Sequence, residues 1–316
     1  MRFNLFNLNK DGKGVDKNED KTPNIVFYFK SLWRKFPRLI TINLLMLLQV
    51  APLLFAFLTY FWSETVPTCT DLSFPVYYGI TQFDTSPSSL LLFALSSIQY
   101  DFPAISTWNV IQMGLWLLLA ALIFGWCNVA FTYLTREMVR GNPVFLFSDI
   151  KYAIKKNWKQ GFLVGLVDFC LLGILIFNIS TLQSGSGVFD NIMYFANLGI
   201  LILYAVMRFY IYLMLITFDI KFGKMLKNAL IFVVLGLKRN VLAILWIVVL
   251  CALNFFILLL YPPLGIALPL LYILSVSLFT MTYAAYPVIE KYMITPYQSD
   301  DADELIEAED GENATE

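Results

Sequence analysis

Asp168 and Arg208 are single ionisable residues inside long apolar stretches, and just before the first of those stretches stand Lys151, Lys155, Lys156, Trp158 and Lys159. An acid and a base buried in hydrocarbon can relay a proton or a solute, or they can pair and hold two helices in register. An isolated charge there costs about 3 kcal/mol on insertion scales, so pairing is the expectation in either case. One pair without further buried acids makes a poor relay, which favours the register role. The lysine cluster also has two readings. A nucleic-acid patch needs a solvated basic face on a soluble fold, whereas a foot in the headgroup layer needs cations on one side of a helix and apolar groups on the other.

Other chemistries lack their residues. The chain has no histidine, the commonest general base and zinc ligand. Cys69, Cys127, Cys170 and Cys251 share no CxxC spacing, and three of them lie in apolar segments, so neither a disulfide framework nor a metal site is expected. No Walker A loop, HExxH helix or intramembrane serine motif occurs. The expectation is a protein without catalytic residues, metal or cofactor, and so not an enzyme.

The elements that must carry these residues follow from composition. Of 316 residues, 59% are hydrophobic and 14% charged, against about half and a quarter in soluble domains. One soluble core cannot hide that much apolar surface. A helix needs about 20 mostly apolar residues to cross about 30 Å of hydrocarbon. Six stretches qualify: Leu39 to Trp62, Trp108 to Leu134, Gly161 to Leu182, Met193 to Phe218, Val241 to Tyr261 and Leu264 to Val288. The predicted fold is all-α, a polytopic bundle of six transmembrane helices. Residues 1–23 form a polar N-terminal tail without an apolar signal core, 24–298 the membrane domain with a long outer loop at 63–107, and 299–316 an acidic, disordered tail. The last 18 residues hold nine of the 23 acids, leaving 22 bases against 14 acids in the body, about +8.

Cations are retained on the cytoplasmic side during insertion. With the N-terminus inside, 21 of the 22 Lys and Arg fall in cytoplasmic segments and the other, Arg208, in a span. The outer segments carry Glu64, Asp71, Asp84, Asp101 and Asp190 instead. This predicts an N-in, C-in protein of the cell membrane. On the inner side, Asn142 can cap and Pro143 can open a helix in which Leu146, Ile150, Ile154 and Trp158 recur on one face. That pattern makes the lysine cluster an amphipathic interfacial helix facing anionic headgroups, and excludes nucleic acid as partner. A second foot is expected at Ile25, Phe29, Leu32, Trp33 and Phe36, before the first span. A third is expected around Ala229 to Leu237, where "FDIK" echoes the earlier "SDIK". Asp168 lies ~10 Å and Arg208 ~15 Å from the inner ends of their spans, at similar depth. Gln49, Asn128 and Asn254 are expected to bond between helices. In the outer loop, "SSLLLFALSSI" predicts a short helix, and Phe74, Tyr77, Tyr78 and Tyr100 sit at headgroup level or stack on a ligand.

The blocks "FPRLITINLLMLLQVAP", "TREMVRGNPVFLFSDIKYAIKKNWKQG" and "MLKNALIFVVLGLKRN", with "GKGVDKNEDK" before them, occur in an order that resembles the YesL-like family of bacterial membrane proteins. The resemblance covers nearly the whole chain except the acidic tail. It implies a non-enzymatic accessory of a carbohydrate uptake system, with importer subunits as partners, and it carries over no catalytic residues. The outer loop is longer than in compact members. The alternative is a small stand-alone transporter using the Asp168/Arg208 pair.

Overall fold

A computed structural model of the chain describes residues 23–61, 65–67, 79–80, 82–83, 85–96, 101–103, 106–183, 185 and 187–296. The two tails and the aromatics Phe74, Tyr77, Tyr78 and Tyr100 lie outside the described residues.

The chain runs α1 (Ile25–Phe61), β1 (Thr65–Pro67), α2 (Pro87–Ser96), β2 (Asp101–Pro103), α3 (Thr107–Arg140), α4 (Leu146–Lys156), α5 (Trp158–Leu182), α6 (Val188–Thr217), α7 (Phe222–Leu235), α8 (Leu237–Leu260), α9 (Pro262–Leu268) and α10 (Leu274–Ile289). A π-helical turn, Pro269–Ile273, joins α9 to α10, and a second, Glu290–Ile294, follows α10. Among the described residues, six helices are long and apolar enough to cross a membrane: Ile25–Tyr60, Thr107–Arg140, Trp158–Leu182, Val188–Thr217, Leu237–Leu260 and Pro262–Ile294. They contain the six expected spans to within a residue or so and overrun them mainly at the ends that carry Lys and Arg. Backbone hydrogen bonding does not stop where apolar composition stops, so a helix continues until a turn residue ends it.

Two expectations change at this level. The basic aromatic segment before the first span is no separate foot, because α1 passes through it and through Pro37 as one 37-residue helix. Its buried stripe is Tyr28, Ser31, Leu39 and Ile42, while Trp33 is 81% exposed and Ile25 and Phe29 are also exposed. The segment 63–107, expected to be a loop with one short helix, carries in addition a short antiparallel pairing of β1 with β2, Val66 opposite Phe102. Between them α2 forms as expected, ten residues and so about 15 Å long, too short to span.

The chain divides into two compact units. The first comprises Met1–Asn43, Thr132–Leu146 and Ala205–Glu316. Among the described residues, the largest fully enclosed side chains belong to it, Leu39, Leu134, Tyr210, Met225 and Phe279 among them. Its centre is α10, buried without interruption from Phe279 to Tyr286, as a helix enclosed on all sides must be. Hydrogen bonds fix its neighbours: the Tyr28 hydroxyl bonds Thr280 Oγ1 at 2.7 Å, and Thr135 Oγ1 bonds Thr282 Oγ1 at 3.1 Å.

Pro269 has no N–H to give and its ring displaces the carbonyl one turn back, so the helical ladder slips into the π turn. Asn43, fully buried on α1, repairs the slip. Its Nδ2 donates to the carbonyls of Pro269 (3.1 Å) and Leu270 (2.8 Å), and its Oδ1 accepts the Ser275 N–H at 2.9 Å. Asn43→Leu is expected to lower stability by about 1–3 kcal/mol, read as a lower melting temperature in detergent. Asn43→Asp, which keeps the acceptor and loses the donor, is expected not to restore it.

The second unit comprises Leu44–Phe131 and Phe147–Tyr204. Here α3 and α5 meet at glycines. A Cβ on Gly125 would fall on the Gly161 carbonyl oxygen and within 2.8 Å of the Gly165 Cα, and one on Gly165 would fall on the Gly125 backbone. "GFLVG" on α5 is thus a small-xxx-small contact that lets two backbones touch. Asn197 Nδ2 donates across to the Leu175 carbonyl at 2.9 Å, tying α6 to α5.

Candidate functional site

The polar groups inside and beside the spans define three places. The first is α4. Lys151, Lys155, Lys156 and Lys159 are all exposed, as are Phe147, Tyr152 and Trp158. Ala153 is buried and Ile150, Ile154 and Asn157 are half-buried on the opposite side. Lys156 Nζ lies 5.9 Å from the Tyr152 ring and Lys159 Nζ 5.6 Å from the Trp158 ring. Cations and aromatics therefore share the outward surface.

Two details differ from expectation. Trp158 does not share the face of Ile150 and Ile154. It opens α5 after a one-residue break at Asn157, with its ring outward and its carbonyl accepting Trp126 Nε1–H at 2.9 Å. Asn142 caps no helix either, since α4 starts at Leu146. Instead α3 ends in a left-handed Gly141 (φ +84°), with Gly141 N–H on the Met138 carbonyl and Asn142 N–H on the Glu137 carbonyl. That is a Schellman ending, which favours glycine at the positive φ.

The pattern of a short helix joined through one residue to a spanning helix recurs at α7, Gly236 and α8. Met225, Ala229, Phe232 and Val233 face inward from α7, while Lys224, Lys227, Leu230 and Val234 face outward. Tyr210 O–H donates to Asn240 Oδ1 at 3.0 Å and Asn240 Nδ2 donates to the Val233 carbonyl at 3.2 Å, holding this break. The two "DIK" segments are not equivalent: Asp149 lies in the first turn of α4, whereas Asp219 precedes α7.

The second place is Asp168 on α5, 2% exposed, whose Oδ1 accepts the Tyr204 hydroxyl of α6 at 2.9 Å. Arg208 belongs to the other unit, four residues beyond Tyr204 and about one turn further along α6, with its guanidinium 6.0 Å from the Tyr212 ring. Tyr204 went unnoticed in the sequence, where a tyrosine in a span reads as one more apolar residue. Its i, i+4 spacing to Arg208 was the available signal. The amides expected to bond between helices do not all do so. Asn128 Nδ2 donates to the Phe124 carbonyl of its own helix, and Asn254 Oδ1 has no partner among the described residues. Asn43, Asn197 and Asn240 do that work.

The third place was invisible in the sequence. Arg136 and Glu137, 7% and 8% exposed, are adjacent and yet paired. Glu137 Oε1 accepts Arg136 Nη2–H at 2.7 Å and Nε–H at 3.0 Å. Arg136 Nη1 donates to the Ile216 carbonyl and Thr217 Oγ1, each at 3.1 Å, and the guanidinium lies 4.9 Å from the Tyr133 ring. The other Glu137 oxygen accepts Asn142 Nδ2–H, and Arg140 Nη1 stands 3.7 Å from Oε1. Adjacent opposite charges in "TREMVRGN" read as solvated, and only the end of α6 folding against α3 buries them.

Six helices long and apolar enough to cross a membrane define the class, a multi-pass helical membrane protein. Comparison with protein-family models, with curated proteins and with solved structures finds no match to the chain.

Proposed function

We propose that the chain is a non-enzymatic accessory protein of the cell membrane, held N-in and C-in by the basic feet α4 and α7, and that it works beside a carbohydrate importer. The observation that supports the membrane part is the outward surface of α4 and the first turn of α5, where four lysines and three large aromatics lie together at the start of a spanning helix. Lysines at headgroup level gain about 1 kcal/mol each from anionic lipid. Aromatics gain from the same layer. The importer association is supported by the YesL-like resemblance alone. Its test is co-purification: gentle solubilisation is expected to recover permease or ATPase subunits, and recovery of neither counts against it. Orientation is tested separately with Lys155→Cys in a chain whose Cys69, Cys127, Cys170 and Cys251 are each replaced by alanine, expected to react with a membrane-impermeant maleimide only after the cells are opened.

A stand-alone transporter is the second reading, favoured by one observation, a carboxylate deep in a span with a hydroxyl on it. In that reading Asp168 exchanges protons or binds solute, paired with Arg208. Asp168→Asn then abolishes transport at unchanged membrane abundance. On the structural reading the same substitution lowers abundance, and Tyr204→Phe lowers it further in the same direction.

A further inference from the structure

The first turns of α1 and α8 and the middle of α10 enclose a cavity of about 470 Å³ within the first unit, a size typical of small-molecule sites, which run about 300–1,000 Å³. Its two ends differ in chemistry. Lys238 and Arg239 stand at one end, and none of the lining residues is acidic. The remainder is walled by Phe29, Leu242, Leu245, Trp246 and Val249.

Phe29, Leu242, Leu245 and Val249 are themselves exposed, so the cavity opens sideways on the apolar flank of the helices. A water-soluble ligand would have to cross that flank, whereas a bilayer component lies against it already. Depth agrees with this. Lys238 is the second residue of α8 and Val249 lies eleven residues on, about 16 Å and so about one leaflet of a ~30 Å hydrocarbon layer. The polar groups within are largely engaged: Tyr28 with Thr280, and the Tyr283 hydroxyl with the Asn24 carbonyl at 2.8 Å. The Trp246 N–H has no hydrogen-bond partner among the described residues. Arg239 spends one Nη2–H on the Pro23 carbonyl at 3.3 Å, and the Lys238 side chain is exposed.

We propose that this cavity seats one anionic phospholipid drawn from the bilayer, its phosphate between Lys238 and Arg239 and one acyl chain along Phe29, Leu242, Leu245 and Trp246. The proposal rests on the six helices crossing a bilayer. It does not depend on their orientation or on any part in sugar uptake.

The test uses the full chain in phosphatidylcholine nanodiscs containing a graded fraction of lipid brominated on its acyl chains, either phosphatidylglycerol or phosphatidylcholine. Bromine quenches indole on contact, and the difference between the native protein and Trp246→Phe isolates Trp246. Brominated phosphatidylglycerol is expected to half-quench Trp246 at about one thirtieth the mole fraction that brominated phosphatidylcholine requires, the size expected for two cations near a headgroup. Lys238→Gln/Arg239→Gln is expected to erase the difference. Lys238→Glu at this exposed position, which leaves Glu beside Arg239 and no net charge, is expected to erase it as well. Equal quenching by the two lipids in the native protein overturns the lipid site and leaves bilayer insertion standing. Quenching of Trp246 by neither overturns both.

Discussion

Gly125→Leu is expected to leave almost no folded protein. The α3 and α5 backbones touch at Gly125, Gly161 and Gly165, so a side chain at Gly125 meets main chain, which cannot rotate away as a side chain can. Overpacking a core that can relax costs about 1–3 kcal/mol. Here the only relaxation is to part the helices, which also removes the Trp126 bond to the Trp158 carbonyl at the base of α5. A loss above about 3 kcal/mol is a large share of the stability of any domain. The measurement is membrane abundance and monodispersity after solubilisation. Gly173→Ala on the same α5 is the control: nothing lies within 4 Å of its Cβ position, and replacing an unneeded helical glycine gains up to about 1 kcal/mol. If Gly125→Leu behaves like that control, the crossing is not as close as described.

Arg136→Met has the second large expected effect. It leaves Glu137 enclosed without its main partner and removes the donors to the Ile216 carbonyl and Thr217. Breaking a buried pair from one side costs about 3–5 kcal/mol, whereas replacing both partners by apolar groups is often close to neutral. Thermal denaturation in detergent is therefore expected to show a large drop for Arg136→Met and for Glu137→Leu singly. The double variant Arg136→Met/Glu137→Leu is expected to recover most of the loss, short by the orphaned Ile216 carbonyl. Additive losses in that cycle would mean the two charges do not stabilise each other. An unchanged melting temperature in either single variant would mean that the site is open to water.

The spans were legible because lipid imposes one simple condition, twenty apolar residues in a row, and side-chain order within the run hardly matters. Their continuation was less legible. Nothing in "NIVFYFKSLWRKFPRL" says whether the basic aromatic segment bends away at Pro37 or carries on, and the structure carries on because proline within a helix is tolerated where packing supports the turn. The face that α1 buries was not legible either. In water the apolar face turns inward, but beside lipid Trp33 and Ile25 can stay outside, and the inward face is chosen by fit to Thr280 and Phe279.

Pairwise polar contacts were least legible. Asp168 announces itself by charge, and the structure buries it. Tyr204, Asn43 and Asn240 do not announce themselves, since their role is to meet a partner 36, 226 or more, and 30 residues away respectively. Arg136 and Glu137 were hidden behind the ordinary look of an adjacent ion pair.

By itself the sequence determined the number of apolar helices, the position of the lysine-rich short helix before α5 and the presence of a carboxylate within one apolar helix, since each depends on composition within one local window. The tertiary structure alone decided which face of each helix is enclosed, where backbones touch at glycine, how the slipped turn at Pro269 is repaired, and that a polar-looking Arg–Glu step is buried. Those outcomes depend on atoms brought together from distant parts of the chain, and hydrocarbon, which accepts almost any apolar side chain on its side, leaves no local mark of them.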